Sequence, residues 1–161
     1  MTDDVIREFP PCGLYRTRAP VGDVPAGRLV YFHNHGEPGP GIYLPSGWKG
    51  NRARFHERGH TLPGPEAAGD LEPLPAEGFY RVISPFHCCE KECRRYETDS
   101  LVQLGYDASA QPILFTPEWN DGALSIPEQG MRIDLGRVDR LARLAVATGK
   151  SPPTPEGTVL H

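Results

Sequence analysis

No stretch of this sequence is apolar for long enough to cross a bilayer. The longest apolar runs, such as residues 29–32, fall far short of the roughly 20 residues a spanning helix needs. The start, Met1-Thr2-Asp3-Asp4, is acidic and lacks the apolar segment of a secretory leader. The expectation is therefore a cytoplasmic protein with no membrane partner. There is no excess of positive charge: Lys and Arg number 17, Asp and Glu 21, and the net charge is −4. This balance argues against whole-surface attraction to nucleic acid, which becomes the less favoured partner. There is no Cys-x-x-Cys pair. Three of the four cysteines, Cys88, Cys89 and Cys93, crowd into six positions, with Cys12 far away, a poor framework for disulfides. Also missing are a Gly-rich phosphate loop, a nucleophile elbow and a paired acid motif on a helix.

Glycine and proline are abundant, 18 each in 161 residues, so many turns and few long helices are expected. Strand signals fall at residues 13–17, 28–35, 42–44, 78–83, 101–106, 113–116, 123–126 and 131–133. Several of them recur in order. Gly13-Leu14-Tyr15-Arg16 matches Gly78-Phe79-Tyr80-Arg81, Leu29-Val30 matches Leu101-Val102, and Ile42-Tyr43 matches Leu114-Phe115. Pro45 matches Pro117, and Trp48 and Trp119 follow within one position of that register. The pattern points to an internal duplication. The expected fold is mainly β (all-β or α+β), a small barrel or sandwich from two related β-units with one short inserted helix and a C-terminal helix. Residues 1–62 form the first unit, and 63–77 read as a Pro/Gly-rich linker or loop. Residues 78–134 form the second unit, carrying the inserted Cys-bearing helix. The C-terminal helix covers 135–149, followed by a mobile tail over 150–161.

Both helices are read from spacing. Ser84-Pro85 can start the first, which aligns Phe86, Cys89, Cys93 and Tyr96 on one face. Its cysteines then act as small core residues, with Cys88 near the positive end of the helix as the candidate reactive thiol. In the second, Leu135, Val138, Leu141, Ala142 and Ala145 recur at helical spacing. Asp134 caps the start, Gly149 ends it, and Asp139 pairs with Arg143 on the solvent side.

Two groupings carry chemistry. His87, Cys88, Cys89 and Cys93 are imidazole and thiolate donors suited to a structural zinc ion. Separately, Tyr31, His33, His35, Trp48, Arg52, Arg54 and Arg58 form a basic, aromatic and His-bearing strip in the first unit. Guanidinium groups beside aromatic rings suit a phosphate or carboxylate. Tyr31, His33 and His35 alternate along one strand face, and if residues 52–58 pair nearby, His56 joins the two histidines as a three-His site. The leading expectation is a non-enzymatic binding or adaptor module that recognises an anionic small molecule or an acidic protein partner.

The alternative rests on His56-Glu57-Arg58-Gly59-His60, which resembles the zincin metallopeptidases in five contiguous residues. The resemblance implies a zinc-dependent hydrolase, with His56 and His60 as ligands and Glu57 as the general base, all on one helix. The residues before it, from Lys49 to Arg54, supply three cations and no apolar stripe, and Pro63 stops any helix. The position of Glu66 does not hold the third histidine of the extended metzincin pattern. A helix over 51–62 would favour the hydrolase; strand and turn there would favour the repeated β-unit.

Overall fold

Alternation of β-branched and aromatic residues with polar ones gives short strands throughout the computed structural model, which describes residues 8–36 and 39–145. In the first half the strands are β1 (Gly13–Thr17), β2 (Leu29–His33), β3 (Gly41–Tyr43), β4 (Pro45–Lys49), β5 (Arg52–Phe55) and β6 (His60–Thr61). A 3-10 turn (Pro65–Asp70) and β7 (Leu71–Pro73) complete that half. The second half runs through β8 (Gly78–Val82), β9 (Phe86–His87), β10 (Arg95–Tyr96), β11 (Leu101–Tyr106), β12 (Pro112–Phe115), β13 (Glu118–Asn120), β14 (Ala123–Ser125) and β15 (Met131–Arg132). It ends in a 3-10 turn (Leu135–Arg140) and β16 (Leu141–Arg143).

The protein is mainly β, as its sequence predicts. Two five-stranded sheets have the orders β6-β3-β2-β1-β7 and β15-β12-β11-β8-β16, and neither order closes on itself. Each row repeats the other element for element, and each has a hairpin between its third strand and its edge strand. The agreement extends to single bonds. Tyr15 donates its hydroxyl to the Pro11 carbonyl at 2.7 Å, and Tyr80 does the same to Ala76 at 2.6 Å. The Leu74 N–H donates to Leu14 at 3.0 Å, and that of Leu144 to Phe79 at 2.9 Å. Gly59 and Gly130 each sit where a side chain would strike a carbonyl of the third strand, that of Ile42 and that of Leu114.

The hydrophobic core has two parts. Tyr15, Val30, Phe32, Ile42 and Leu71 pack together within the first half. Tyr80, Val102, Leu104, Tyr106 and Leu114 form the second part, and Leu29 and Ala53 of the first half belong to it. The Leu29 N–H also donates to the Ala108 carbonyl at 2.9 Å. The two halves therefore share buried surface.

Three expected elements differ. The inserted helix is not formed. Residues 86–96 are a hairpin in which Tyr96 pairs with Phe86 and their rings stack at 5.0 Å. The spacing read as one helix face is instead a cross-strand pair, and Glu92, at φ +54°, makes the turn. The C-terminal helix is also absent over the described residues. Leu135 and Val138 are three apart, which fits the 3-10 turn equally well. Leu141 then pairs with Val82, filling the sheet edge beside β8 that β7 fills beside β1. Asp134 makes no side-chain cap bond, and Asp139 lies against Arg140 rather than Arg143. Gly149 and the tail over 150–161 lie outside the described residues. Finally, the 63–77 segment contains a 3-10 turn and a paired strand instead of running as a free loop. No helix among the described residues is long and apolar enough to cross a membrane.

Candidate functional site

The basic, aromatic strip does not form one surface. Strand pairing divides it among several places. Tyr31, opposite Leu14 in the β1–β2 ladder, tilts against Phe55 at 5.7 Å. With Arg52 at the start of β5, these rings line a cavity of about 480 Å³ between the two halves. Trp48, on the neighbouring strand of the same hairpin, points to the other side and donates its indole N–H to the Tyr106 carbonyl at 2.8 Å. Arg54 is exposed on β5, and Arg58 lines a separate hollow with Tyr43 and His60.

The cavity takes residues from both halves. Leu14, Leu74, Tyr31 and Phe55 give it an apolar wall; Arg52 and Arg143 give it two cations. Among the described residues neither arginine is ion-paired. Glu77, from the connection before β8, is the polar group in the wall and is buried. Its carboxylate accepts the N–H of Ala53 at 2.9 Å, which joins the first hairpin to the second half. Burial holds the Glu77 pKa above its ordinary value, while the Ala53 N–H and the nearby Arg52 pull it back. Two arginines and one carboxyl beside aromatic and leucine side chains can recognise a small molecule with an anionic end and an apolar body.

His33 ends β2, and its ring lies 6.3 Å from Tyr31 and 4.0 Å from His35. Cys12 joins them, with Sγ 3.7 Å from His33 Nδ1. His56 does not. It stands exposed beyond β5, with its N–H bonded to the Leu44 carbonyl at 3.0 Å. The His56 to His60 segment is a bend between β5 and β6, and His60 pairs with Ile42. The helix that would turn both imidazoles onto one ion is thus not formed. Strand and turn occupy the place, as the repeated β-unit requires.

The thiol cluster lies at the tip of the β9–β10 hairpin. The Sγ atoms of Cys88, Cys89 and Cys93 lie within 4.8 Å of one another. His87 stays outside that group, with Nδ1 3.6 Å from a Glu92 carboxylate oxygen. Cys88 is buried in the second core, Cys89 half-buried and Cys93 exposed. The backbone N–H of Cys93, the Cys88 thiol and the N–H of Lys91 all donate to Cys89, and together they hold its thiol below the ordinary range. Hydrogen bonding to Cys89 pushes the Cys93 thiol the other way. The donors to the Cys89 sulfur are thus turn amides and the neighbouring thiol, not the end of a helix. Among the described residues two groups of side chains can hold a metal ion: these three thiols, and Cys12 with His33 and His35.

No protein-family model, curated protein or solved structure matches this chain.

Sequence reasoning missed Glu77, Arg143 and Cys12. Arg143 was assigned to a solvent-facing helix, whereas the end of β16 brings it beside the cavity. Glu77 fell in the segment read as linker. Cys12 was legible in principle: β1 and β2 pair antiparallel with Gly13 opposite Phe32, which sets the next pair, Cys12 and His33, face to face.

Proposed function

We propose that this protein is a non-enzymatic binding module that takes a small anionic ligand in the cavity between its two halves. The observation that carries the proposal is the pair of unpaired arginines, Arg52 and Arg143, in one cavity of about 480 Å³ with Tyr31 and Phe55. A volume of this size suits a small molecule better than a segment of an acidic protein. The arginines hold the carboxylate or phosphate, the rings and leucines cover the apolar part, and Glu77 selects a ligand with a hydrogen-bond donor nearby. The four free thiols suit a reducing compartment such as the cytoplasm. The repeated element order supports internal duplication as the origin of the halves.

The test is a thermal-shift and calorimetric screen of aromatic carboxylates and aryl phosphates against the full chain. Binding is expected to weaken with salt and to be lost in Arg52→Ala and in Arg143→Ala, while Arg58→Ala binds as wild type. A response unaffected by Arg52→Ala, or none to any of these anions, contradicts the proposal. Binding only to acidic polypeptides would shift the reading to a protein partner.

The thiol hairpin favours a second, compatible reading, as a zinc site. Zinc–thiolate bonds of about 2.3 Å at tetrahedral angles separate two sulfurs by about 3.8 Å. The Cys88 and Cys89 sulfurs are 3.6 Å apart. Backbone N–H groups aimed at Cys89 stabilise the thiolate that a metal requires. In this reading the cysteines are the ligands, and His87 completes the set only by leaving Glu92. Untagged protein purified without chelator should carry zinc by mass spectrometry, and Cys89→Ser should carry one ion per chain fewer; wild-type protein that takes up no zinc at this hairpin contradicts the reading.

A further inference from the structure

We infer that Cys12, His33 and His35 form a second metal site, for a borderline ion of the zinc class, separate from the thiol hairpin. The chain topology makes the site. Gly13 faces Phe32 across the β1–β2 ladder, so the residues one step further out, Cys12 and His33, stand opposite each other. Beyond β2 the chain bends, and Gly36, at φ +90°, turns it so that a side chain at this position would meet the His33 ring. This bend holds the His35 ring 4.0 Å from that of His33. One donor atom from each of the three side chains then lies within 4.8 Å of the others.

The spacing is that of ligands on one ion. Zinc–sulfur and zinc–nitrogen bonds of about 2.3 and 2.05 Å at a tetrahedral angle place the two donors about 3.6 Å apart. Cys12 Sγ and His33 Nδ1 are 3.7 Å apart.

The site is also fastened by bonds that need no ion. The Asn34 N–H donates to Cys12 Sγ at 3.3 Å, and the Asn34 side-chain amide donates to the Pro10 carbonyl at 2.9 Å. Residues 10–12 are thereby pinned to the bend that carries both histidines. The Cys12 thiol donates to Asn34 Oδ1 at 3.3 Å. When a metal binds, that proton leaves to solvent and a metal–sulfur bond replaces the S–H bond. The remaining N–H donor then faces a thiolate, which it stabilises.

One thiolate and two imidazoles select zinc, cobalt or copper over magnesium and calcium, which demand oxygen. Three protein donors leave one position for water or an exogenous ligand. Cys12 also lines the cavity, but the inference rests on the donor geometry alone, not on the cavity reading or the zinc reading of the hairpin.

The experiment uses the full-length, untagged, metal-free chain and two probes. Cobalt(II) is added to a Cys89→Ser/Cys93→Ser variant, in which the hairpin can no longer compete. One cobalt should bind per chain, with a near-ultraviolet thiolate charge-transfer band and tetrahedral visible bands. Adding Cys12→Ser should remove the charge-transfer band. Adding His33→Ala or His35→Ala should weaken binding by roughly tenfold or more. Circular dichroism checks that each variant keeps its fold. The second probe avoids substitution: wild-type protein is alkylated with and without zinc, and peptide mapping reads Cys12 separately from the hairpin thiols. Zinc should slow alkylation at Cys12. A hairpin-null variant that binds no cobalt, a charge-transfer band that survives Cys12→Ser, or Cys12 alkylation that zinc does not slow would overturn the inference.

Discussion

The two hairpins, β4–β5 and β13–β14, are built alike and used differently. Each turns through two residues with positive φ, Gly50-Asn51 in one and Asp121-Gly122 in the other, the backbone that matches strand twist in a tight hairpin. Each carries one tryptophan on its first strand. The first hairpin lies against the second half. Trp48 bonds to Tyr106, Asn51 bonds to Gln103 and to the Pro127 carbonyl, and Ala53 bonds to buried Glu77. The second hairpin leaves Trp119 73% exposed and Leu124 49% exposed. Turn chemistry thus decides that a hairpin forms, and side-chain partners decide what it does. One hairpin lines the cavity between the halves; its counterpart leaves its large apolar side chains exposed.

The largest expected effect tests whether the halves behave as one unit. Leu104 is fully buried in the core part that also takes in Leu29 and Ala53. Leu104→Ala should cost about 2–5 kcal/mol and lower a single unfolding transition seen equally by probes in both halves. If the second half melted first and left the first hairpin in place, the shared core would not couple them.

Glu77 comes next, because it joins the hairpin to the second half. Glu77→Leu strands the buried Ala53 N–H and should cost about 1–3 kcal/mol in denaturant melts. Glu77→Gln keeps an acceptor and removes the buried charge, so it should be more stable than wild type at neutral pH. The sign follows from the raised folded pKa. The contribution of Glu77 to stability is greatest where it is protonated in both states. It falls as pH climbs from the ordinary carboxylate value to the raised one, then levels. The advantage of the glutamine should vanish below that window; equal stabilities at every pH would contradict the assignment.

The tryptophans give the smallest and most direct contrast. Trp48→Ala loses a hydrogen bond and part of a packed ring and should cost about 1 kcal/mol. Trp119→Ala should fall within about 0.5 kcal/mol of wild type. Equal costs would mean that the second hairpin is also docked.

Much of the β-architecture was legible because period-two alternation and local turn residues act over a few positions. The strand at 13–17 and the one at 101–106 coincide with β1 and β11. The Cys-bearing segment was misread because aromatic and thiol residues at helical spacing also suit a hairpin. Only the left-handed turn at Glu92, which no glycine marks, separates the two. The candidate site was legible in part. Tyr31 and Arg52 lie in adjacent segments of the first half, so composition found them. Arg143 is far away in sequence and reaches the cavity only because β16 fills the edge beside β8. Such a pairing is a tertiary fact, invisible to local pattern.

The most direct test of the account is an amide-shift titration of the full chain with an aromatic carboxylate. The shifted amides should cluster at Leu14, Tyr31, Ala53, Phe55 and Arg143, and Arg52→Ala should abolish the response. Shifts centred on Arg58 and His60, or no response at all, would contradict it.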